Sequence, residues 1–204
     1  MPHRLLPLLL LFSACTARPA AEATADARAA QEKLNREYLD PDHSILSSEQ
    51  RAALAANGGL NFFPIDESYA VVARLERYPD PETVSMPTSG DRPAEFLVYG
   101  RLLFKLQGRP DTLDVFRSTN RFVPEEYRDL LFVPFRDATS GDDTYGGGRY
   151  LDLRVPDGDR VAVDFNKAYH PYCAYTTGYN CPVPPRQNYL EQRVEAGVKN
   201  TPLP

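Results

Sequence analysis

The feature that constrains the fold most is a series of short segments in which apolar and polar residues alternate. Residues 96–106 and 112–117 alternate in this way, and the turn sequence at 107–110 contains Gly108 and Pro110. Alternation with a period of two is typical of a strand that buries one face, and a short glycine-containing connection joins two such strands. The sequence therefore predicts a β-hairpin at the centre of the chain.

Further segments extend this pattern on both sides of the hairpin. They lie at residues 69–76, 131–136, 149–155 and 160–166. The turn sequence 156–159 joins the last two, which predicts an antiparallel meander, and the Pro-, Ser- and Thr-rich residues 79–93 predict a loop. We find no strand–helix alternation, which argues against a parallel α/β fold. The expected fold is mainly β, a single antiparallel barrel or sandwich with short N-terminal helices.

Two helices are expected before the strands. Residues 26–38 place apolar side chains on one helical face, and Asp40 and Pro41 end the helix. Ser47 and Gln50 have the spacing of a capping box at the start of a second helix. We expect both helices to pack against the β domain.

The amino terminus has the pattern of an export signal. Arg4 precedes a short apolar run that ends at Cys15, and this run is too short to cross a bilayer. Its end resembles the bacterial lipobox, so we expect a signal peptide at residues 1–14, a lipidated Cys15 and a tether to residue 25, with cleavage near Ala14 and no lipid as the alternative. The single domain would then occupy residues 26–204, exported, anchored to a membrane of the cell envelope and facing the periplasm.

Charge and cysteine content narrow the partners. The net charge of −5 at pH 7 argues against nucleic acid as a partner and leaves a small molecule or an envelope component. Cys173 and Cys181 are the two cysteines that remain after Cys15, and in an oxidising compartment such a pair predicts a disulfide. The bond would add roughly 2 to 3 kcal/mol to the stability of the fold. The alternative is a zinc site that combines both thiolates with His170. The pattern predicts no cofactor, with zinc kept as that alternative.

The densest chemistry lies between Arg136 and Asn188. Three glycines precede Arg149, so backbone N–H groups and the guanidinium could hold an anion, although a turn also needs such glycines. A cluster of tyrosines could line a pocket or form a packing layer. The candidate ligand-binding residues are Arg136, Asp137, Thr144, Tyr145, Arg149, Tyr150, Asp164, Asn166 and Tyr169.

Carboxylates and one histidine in this region support a rival interpretation. Asp164 and Asn166 lie two residues apart on one strand face, where they could fix Arg149 or a ligand hydroxyl. Together with His170 they could serve a hydrolase or metal-dependent enzyme, although the sequence assigns no catalytic residue. Five aspartates also suggest a calcium loop, but their spacing differs from that of an EF-hand, and turn acids or Asp–Arg pairs are commoner. These are Asp137, Asp142, Asp143, Asp152 and Asp164.

Short motifs resemble a bacterial family known as domain of unknown function 1684. They lie at residues 59–66, 135–137, 139–141, 144–145, 148–151, 164–166, 168–169, 171–174 and 181–182, and at Asn188 and Leu190. The resemblance spans nearly the whole domain but implies no mechanism, because the family has no established activity. Relatives commonly carry asparagine at the position of His170, which weakens the zinc interpretation, and an acidic residue at the position of Val198. Some members look cytoplasmic yet keep both cysteines.

Overall fold

The computed structural model describes residues 20–204 except residues 121 and 123. The predictions for the signal peptide and for Cys15 lie outside these residues. The helices are α1 (Ala20–Leu39) and α2 (Ser48–Ala56). The strands are β1 (Ala70–Arg77), β2 (Thr83–Met86), β3 (Ala94–Leu106), β4 (Arg109–Ser118), β5 (Leu130–Asp137), β6 (Arg149–Arg154), β7 (Arg160–Asp164) and β8 (Tyr189–Leu190).

The strands form one sheet in the order β6-β5-β4-β3-β1-β7. β2 pairs with β3, and β8 pairs in parallel with the end of β5, whereas the other pairs are antiparallel. The central hairpin is β3–β4, with Leu106 opposite Arg109. The prediction of a mainly β, antiparallel fold with two N-terminal helices is confirmed, and the sheet is a curled half-barrel.

The meander prediction was wrong for the last strand. β6 and β7 are consecutive in the chain but lie at opposite ends of the strand order, where β7 pairs with β1. A flat sheet would separate these ends by about 24 Å at the usual strand spacing. The connection from Arg154 to Arg160 spans at most about 22 Å when fully extended. The sheet must therefore curl to bring its edges together.

Two other boundaries differ from the predictions. The loop expected at residues 79–93 contains β2, which pairs with the first part of β3. Residues 20–25, expected as tether, belong to α1, because this alanine-rich stretch has a high helix propensity. The capping box is confirmed, since the backbone N–H of Gln50 donates to Ser47 Oγ and that of Ser47 donates to Gln50 Oε1, both at 3.1 Å. Within the described part of the chain, neither helix is long and apolar enough to cross a membrane.

The two faces of the sheet have different contents. The inner face holds the main apolar core, which includes Leu102, Val115, Val133, Leu151 and Val163. A second cluster joins α1, α2 and the C-terminal segment. Because side chains alternate along a strand, the residues that flank Leu151 in β6 point to the outer face. That outer face carries the cavity described below.

A buried asparagine joins β4 to β5, where the strand ladder is short. The only paired positions of these strands in the described structure are Phe116 and Phe132. Beside them, the Asn188 side-chain amide donates to the carbonyls of Asp114 at 2.9 Å and Pro134 at 2.7 Å, and its oxygen accepts from the Asp114 N–H at 2.8 Å. The side chain thus supplies hydrogen bonds that strand pairing does not make there.

Candidate functional site

The predicted cluster around Arg149 is sealed inside the protein. Arg149 and Asp137 have 0% and 1% of their surface exposed, and Arg149 Nη2 lies 2.8 Å from Asp137 Oδ2. The guanidinium also donates to the carbonyl oxygens of Val194, at 2.8 Å, and Ala196. Burial lowers the pKa of Arg149, while the Asp137 carboxylate opposes this shift. Arg149 therefore connects β6, β5 and the C-terminal segment instead of facing an open site.

The glycine loop before Arg149 is held by its own hydrogen bonds. Gly148 has a φ of 93°, and a Cβ there would lie 2.6 Å from the carbonyl oxygen of Phe135. Its N–H donates to the Tyr145 carbonyl at 2.9 Å. Thr144 is buried, with its hydroxyl 2.9 Å from that of Thr139. This geometry fits the interpretation of a structural turn.

Asp164 and Asn166 stabilise a loop junction. Asp164 Oδ1 accepts hydrogen bonds from the backbone and side-chain amides of Asn166, at 3.0 and 2.8 Å. Asn166 in turn accepts from the Asp66 N–H at 3.0 Å and donates to the Asp66 carbonyl at 2.9 Å. Asn166 thus bonds to both Asp164 and Asp66, and neither Asp164 nor Asn166 bonds to Arg149.

His170 is buried and neutral. The Tyr145 backbone N–H can only donate, so His170 Nε2, 3.1 Å away, is the acceptor. The ring proton therefore sits on Nδ1, which lies 3.2 Å from the Tyr175 hydroxyl and donates to it. Burial lowers the pKa of His170 to about 3. Both ring nitrogens therefore form hydrogen bonds that hold Tyr145 and Tyr175 in place.

The predicted disulfide is confirmed, since Cys173 and Cys181 are bonded, with their Cα atoms 6.3 Å apart. In this form neither sulfur is the thiolate that zinc requires. Among the residues that the structure describes, no group of three or more His, Cys, Asp or Glu side chains could hold a metal ion.

An outer cavity of about 680 Å³ lies near the predicted residues. It lies against the outer face of β5 and β6, below the segment that the disulfide closes. We call it the aromatic cavity, because seven of its lining residues are phenylalanine or tyrosine. They are Phe96, Tyr127, Phe132, Tyr150, Tyr169, Tyr172 and Tyr179.

The rings of this cavity are held mainly at steep angles to each other. Phe132 and Tyr150 have ring centroids 4.7 Å apart at 76°, and Tyr150 and Tyr169 have centroids 5.8 Å apart at 90°. Phe96 stacks on Phe132 at 5.3 Å. The Tyr150 hydroxyl donates to the Pro182 carbonyl, which attaches the covering segment to the sheet. The cavity wall is thus a packed aromatic layer.

One carboxylate lines this aromatic cavity. The Tyr169 hydroxyl donates to Asp152 Oδ2 at 2.8 Å. Solvent reaches Asp152, yet the protein atoms around it raise the pKa of its carboxyl, which the Tyr169 hydrogen bond and the charges of Arg154 and Lys33 oppose. Burial and the Asp152 charge raise the pKa of Tyr169, so its hydroxyl stays protonated as a donor.

A second cavity, of about 650 Å³, adjoins the first. It lies between α1 and the sheet, and its lining includes Lys33, Glu37 and Lys167. Four residues line both cavities, namely Tyr127, Asp152, Tyr169 and Tyr172. The Asp152–Tyr169 hydrogen bond therefore stands at the boundary between the two spaces.

The structure divides the predicted site residues into two groups. Tyr150 and Tyr169 line the aromatic cavity, and so do His170 and Cys181 of the zinc alternative. The others line neither cavity in the described structure, and they are Arg136, Asp137, Thr144, Tyr145, Arg149, Asp164 and Asn166. Arg136 and Arg149 each have a buried Nε without a hydrogen-bond partner among the described residues.

Sequence reasoning missed Asp152, Phe132 and Phe96 as cavity residues. The alternation in β6 could have indicated Asp152, because Tyr150 and Asp152 share the face opposite Arg149. Nothing in the sequence showed that Phe96 and Phe132, on strands far apart in the chain, lie in stacking contact.

These features define a mainly β domain with a buried ion pair on one face of its sheet and an aromatic cavity on the other. The chain belongs to the family described as protein of unknown function (DUF1684), whose model matches residues 56–199. It is similar to an uncharacterised protein of Haloarcula marismortui with a solution NMR structure, at 36% identity and a TM-score of 0.67, over 88% of this chain and 95% of that chain. No curated protein matches the chain.

We expect Arg149→Ala to lower the free energy of unfolding by about 3 to 5 kcal/mol, because it leaves the Asp137 carboxylate buried and unpaired. Urea denaturation measures the change. Arg154→Ala is the matched control on the same strand, where the ion pair with Asp129 is exposed and its loss should cost less than about 1 kcal/mol. If Arg149→Ala lowers the free energy of unfolding no more than Arg154→Ala does, the structural role of Arg149 is contradicted.

We expect the stability of the wild-type protein to fall more steeply in acid than that of His170→Asn. The folded-state pKa of about 3 lies below the ordinary 6.5, so the unfolded chain takes up a proton that the folded chain excludes. The stabilisation is complete above pH 6.5 and is lost as pH falls towards 3, with a slope of up to about 1.4 kcal/mol per pH unit. An asparagine at position 170 can accept a hydrogen bond from the Tyr145 N–H and donate one to the Tyr175 hydroxyl, and its side chain does not titrate.

Unfolding at a series of pH values checks this difference. His43→Asn serves as the control, because His43 is exposed and pairs with Asp40. This variant keeps His170, so it should keep the loss of stability in acid that His170 causes in the wild-type protein. Parallel pH profiles for wild type and His170→Asn would contradict the prediction.

Proposed function

We propose that this domain binds a small organic ligand in the aromatic cavity. The observation that carries the proposal is a space of about 680 Å³ lined by seven aromatic residues and one hydrogen-bonded carboxylate. Ligand sites typically have about 300 to 1,000 Å³ of mostly apolar lining with a few placed polar groups. The aromatic rings would supply contact area, and Asp152 with Tyr169 would orient a polar group of the ligand.

The wall of the cavity is preorganised, which favours binding. The disulfide closes the segment that carries Tyr179, and Tyr172 and Tyr179 pack edge to face with centroids 5.1 Å apart. The Cys181 N–H donates to Ser89 Oγ at 3.1 Å, which fixes this segment to the loop after β2. A rigid wall reduces the ordering entropy that a ligand must offset.

The rival function, a hydrolase at Asp164, Asn166 and His170, has less support. Asp164 and Asn166 are engaged with each other and with Asp66. The neutral His170 ring uses both nitrogens for hydrogen bonds inside the protein. A general base needs a free acceptor within reach of its substrate. The acceptor nitrogen of His170 is already used by the Tyr145 N–H, and Asp164 and Asn166 line neither of the two cavities described.

We expect at least one member of a panel of metabolites, glycans and amines to raise the melting temperature of the purified protein. Tyr172→Leu should reduce this ligand-induced shift, because Tyr172 lines the cavity with 48% of its surface exposed. Tyr189→Leu is the matched control, since Tyr189 is 50% exposed and is absent from the cavity lining. Equal ligand shifts in the two variants, or no shift with any compound, would contradict the proposal.

We also propose that the domain is exported and tethered to a membrane through a lipid on Cys15, where it would meet a small polar ligand or an envelope component. The support is the sequence around Cys15, and stable anchoring needs more than one acyl chain. In a bacterial host, the wild-type protein should enter the membrane fraction and give an acylated amino-terminal peptide by mass spectrometry. Cys15→Ser should lose both properties. Recovery of unmodified wild-type Cys15 would overturn the proposal.

A further inference from the structure

We propose that the ligand of the aromatic cavity is an organic cation with a compact ammonium group. This inference rests on the proposed function of the same cavity. It depends on three properties of the lining residues, which are the orientation of the aromatic rings, the position of Asp152 and the pairing of the nearby basic side chains.

The ring geometry suits a compact cation. Aromatic faces carry negative potential, so a cation within about 6 Å of several ring faces is stabilised. The Tyr150 and Tyr169 rings are perpendicular, and Tyr172 and Tyr179 meet at 69°. In each of these edge-to-face pairs the edge of one ring covers a face of the other, so a compact cation needs less open ring face than a sugar ring, which stacks on a whole face.

Asp152 supplies the opposite charge. Tyr169 donates to Oδ2 of its carboxylate, and an ionised carboxylate has about four acceptor positions, so capacity remains for a ligand. The protein atoms around Asp152 raise the pKa of its carboxyl, and a bound cation would oppose this shift by favouring the ionised form.

The basic residues around Asp152 are engaged elsewhere. Arg154 pairs with Asp129, and Lys33 lies 3.6 Å from Glu37. Arg128, on the cavity lining, pairs with Glu125 at 2.8 Å. Within the described part of the chain, no lysine or arginine forms a salt bridge with Asp152. No salt bridge among the described residues therefore blocks the approach of a cationic ligand to Asp152, although the charges of Arg154 and Lys33 still lower the pKa of its carboxyl.

Arg117, the other basic residue of the lining, is also occupied. Its Nη2 donates to the Arg128 carbonyl at 2.7 Å, and its guanidinium lies 5.5 Å from the centre of the Tyr99 ring. Because both contacts hold it in place, Arg117 does not neutralise Asp152.

The test compares choline with its uncharged isostere, in which carbon replaces the ammonium nitrogen. Both probes have the same shape, so a difference in Kd reports the charge alone. The purified wild-type protein is titrated with each probe and followed by NMR chemical shifts. The Kd for choline should be at least about tenfold lower than the Kd for the isostere, as expected when a charged partner meets a carboxylate in a partly buried site.

Asp152→Asn removes the charge and keeps an acceptor for Tyr169. It should weaken choline binding about tenfold and leave binding of the isostere unchanged. Asp157→Asn is the matched control, because Asp157 is exposed in the turn after β6, and it should bind both probes like the wild type.

The outcomes separate this inference from the proposed function. If the isostere binds as tightly as choline, or if Asp152→Asn binds choline like the wild type, the cation inference is overturned while the cavity remains a ligand site. Binding of a neutral glycan in preference to choline has the same meaning. If no probe and no panel compound binds, both proposals fail.

Discussion

The buried ion pair between Arg149 and Asp137 is the interaction on which the architecture depends. A guanidinium without solvent must have its charge balanced, because an uncompensated buried charge costs several kcal/mol. Here the Asp137 carboxylate balances the charge, and Asp137 and the carbonyls of Val194 and Ala196 accept from both Nη atoms, whereas the buried Nε has no hydrogen-bond partner among the described residues. The ends of β5 and β6 and the C-terminal segment must therefore converge at one point, and the tight turn at Gly148 allows β6 to begin there.

Because Arg149 points inwards, it also determines which side chains of β6 point to the outer face of the sheet. With Arg149 and Leu151 facing the core, the alternation of β6 directs Tyr150 and Asp152 outwards. The covering segment, closed by the disulfide, then completes the aromatic cavity above them. Core residues and cavity-lining residues thus alternate along β6, which explains why one dense stretch of sequence contains both. Arg149 and Tyr150 are adjacent in the chain but serve opposite faces.

Local features of the fold were predictable, whereas long-range partners were not. The β3–β4 hairpin and the capping box at Ser47 follow from neighbouring residues, and the structure confirms them. The partner of β7 depends on how strongly the sheet curls, which no local pattern encodes. Of the predicted site, Tyr150 and Tyr169 reach the cavity, while Arg149 does not, because burial is a property of the whole packed chain.

The sequence by itself determined the family, the mainly β class and the stretch of chain in which the unusual chemistry lies, and it favoured the disulfide over a zinc site. It could do so because strand alternation, turns and cysteine pairing act over short distances along the chain. Only the tertiary structure decided that the Arg149 cluster is sealed and that Asp152 and Phe132 share an open cavity. Whether a side chain is buried or open depends on which strand faces other segments cover. These segments meet the strands only after the chain has folded.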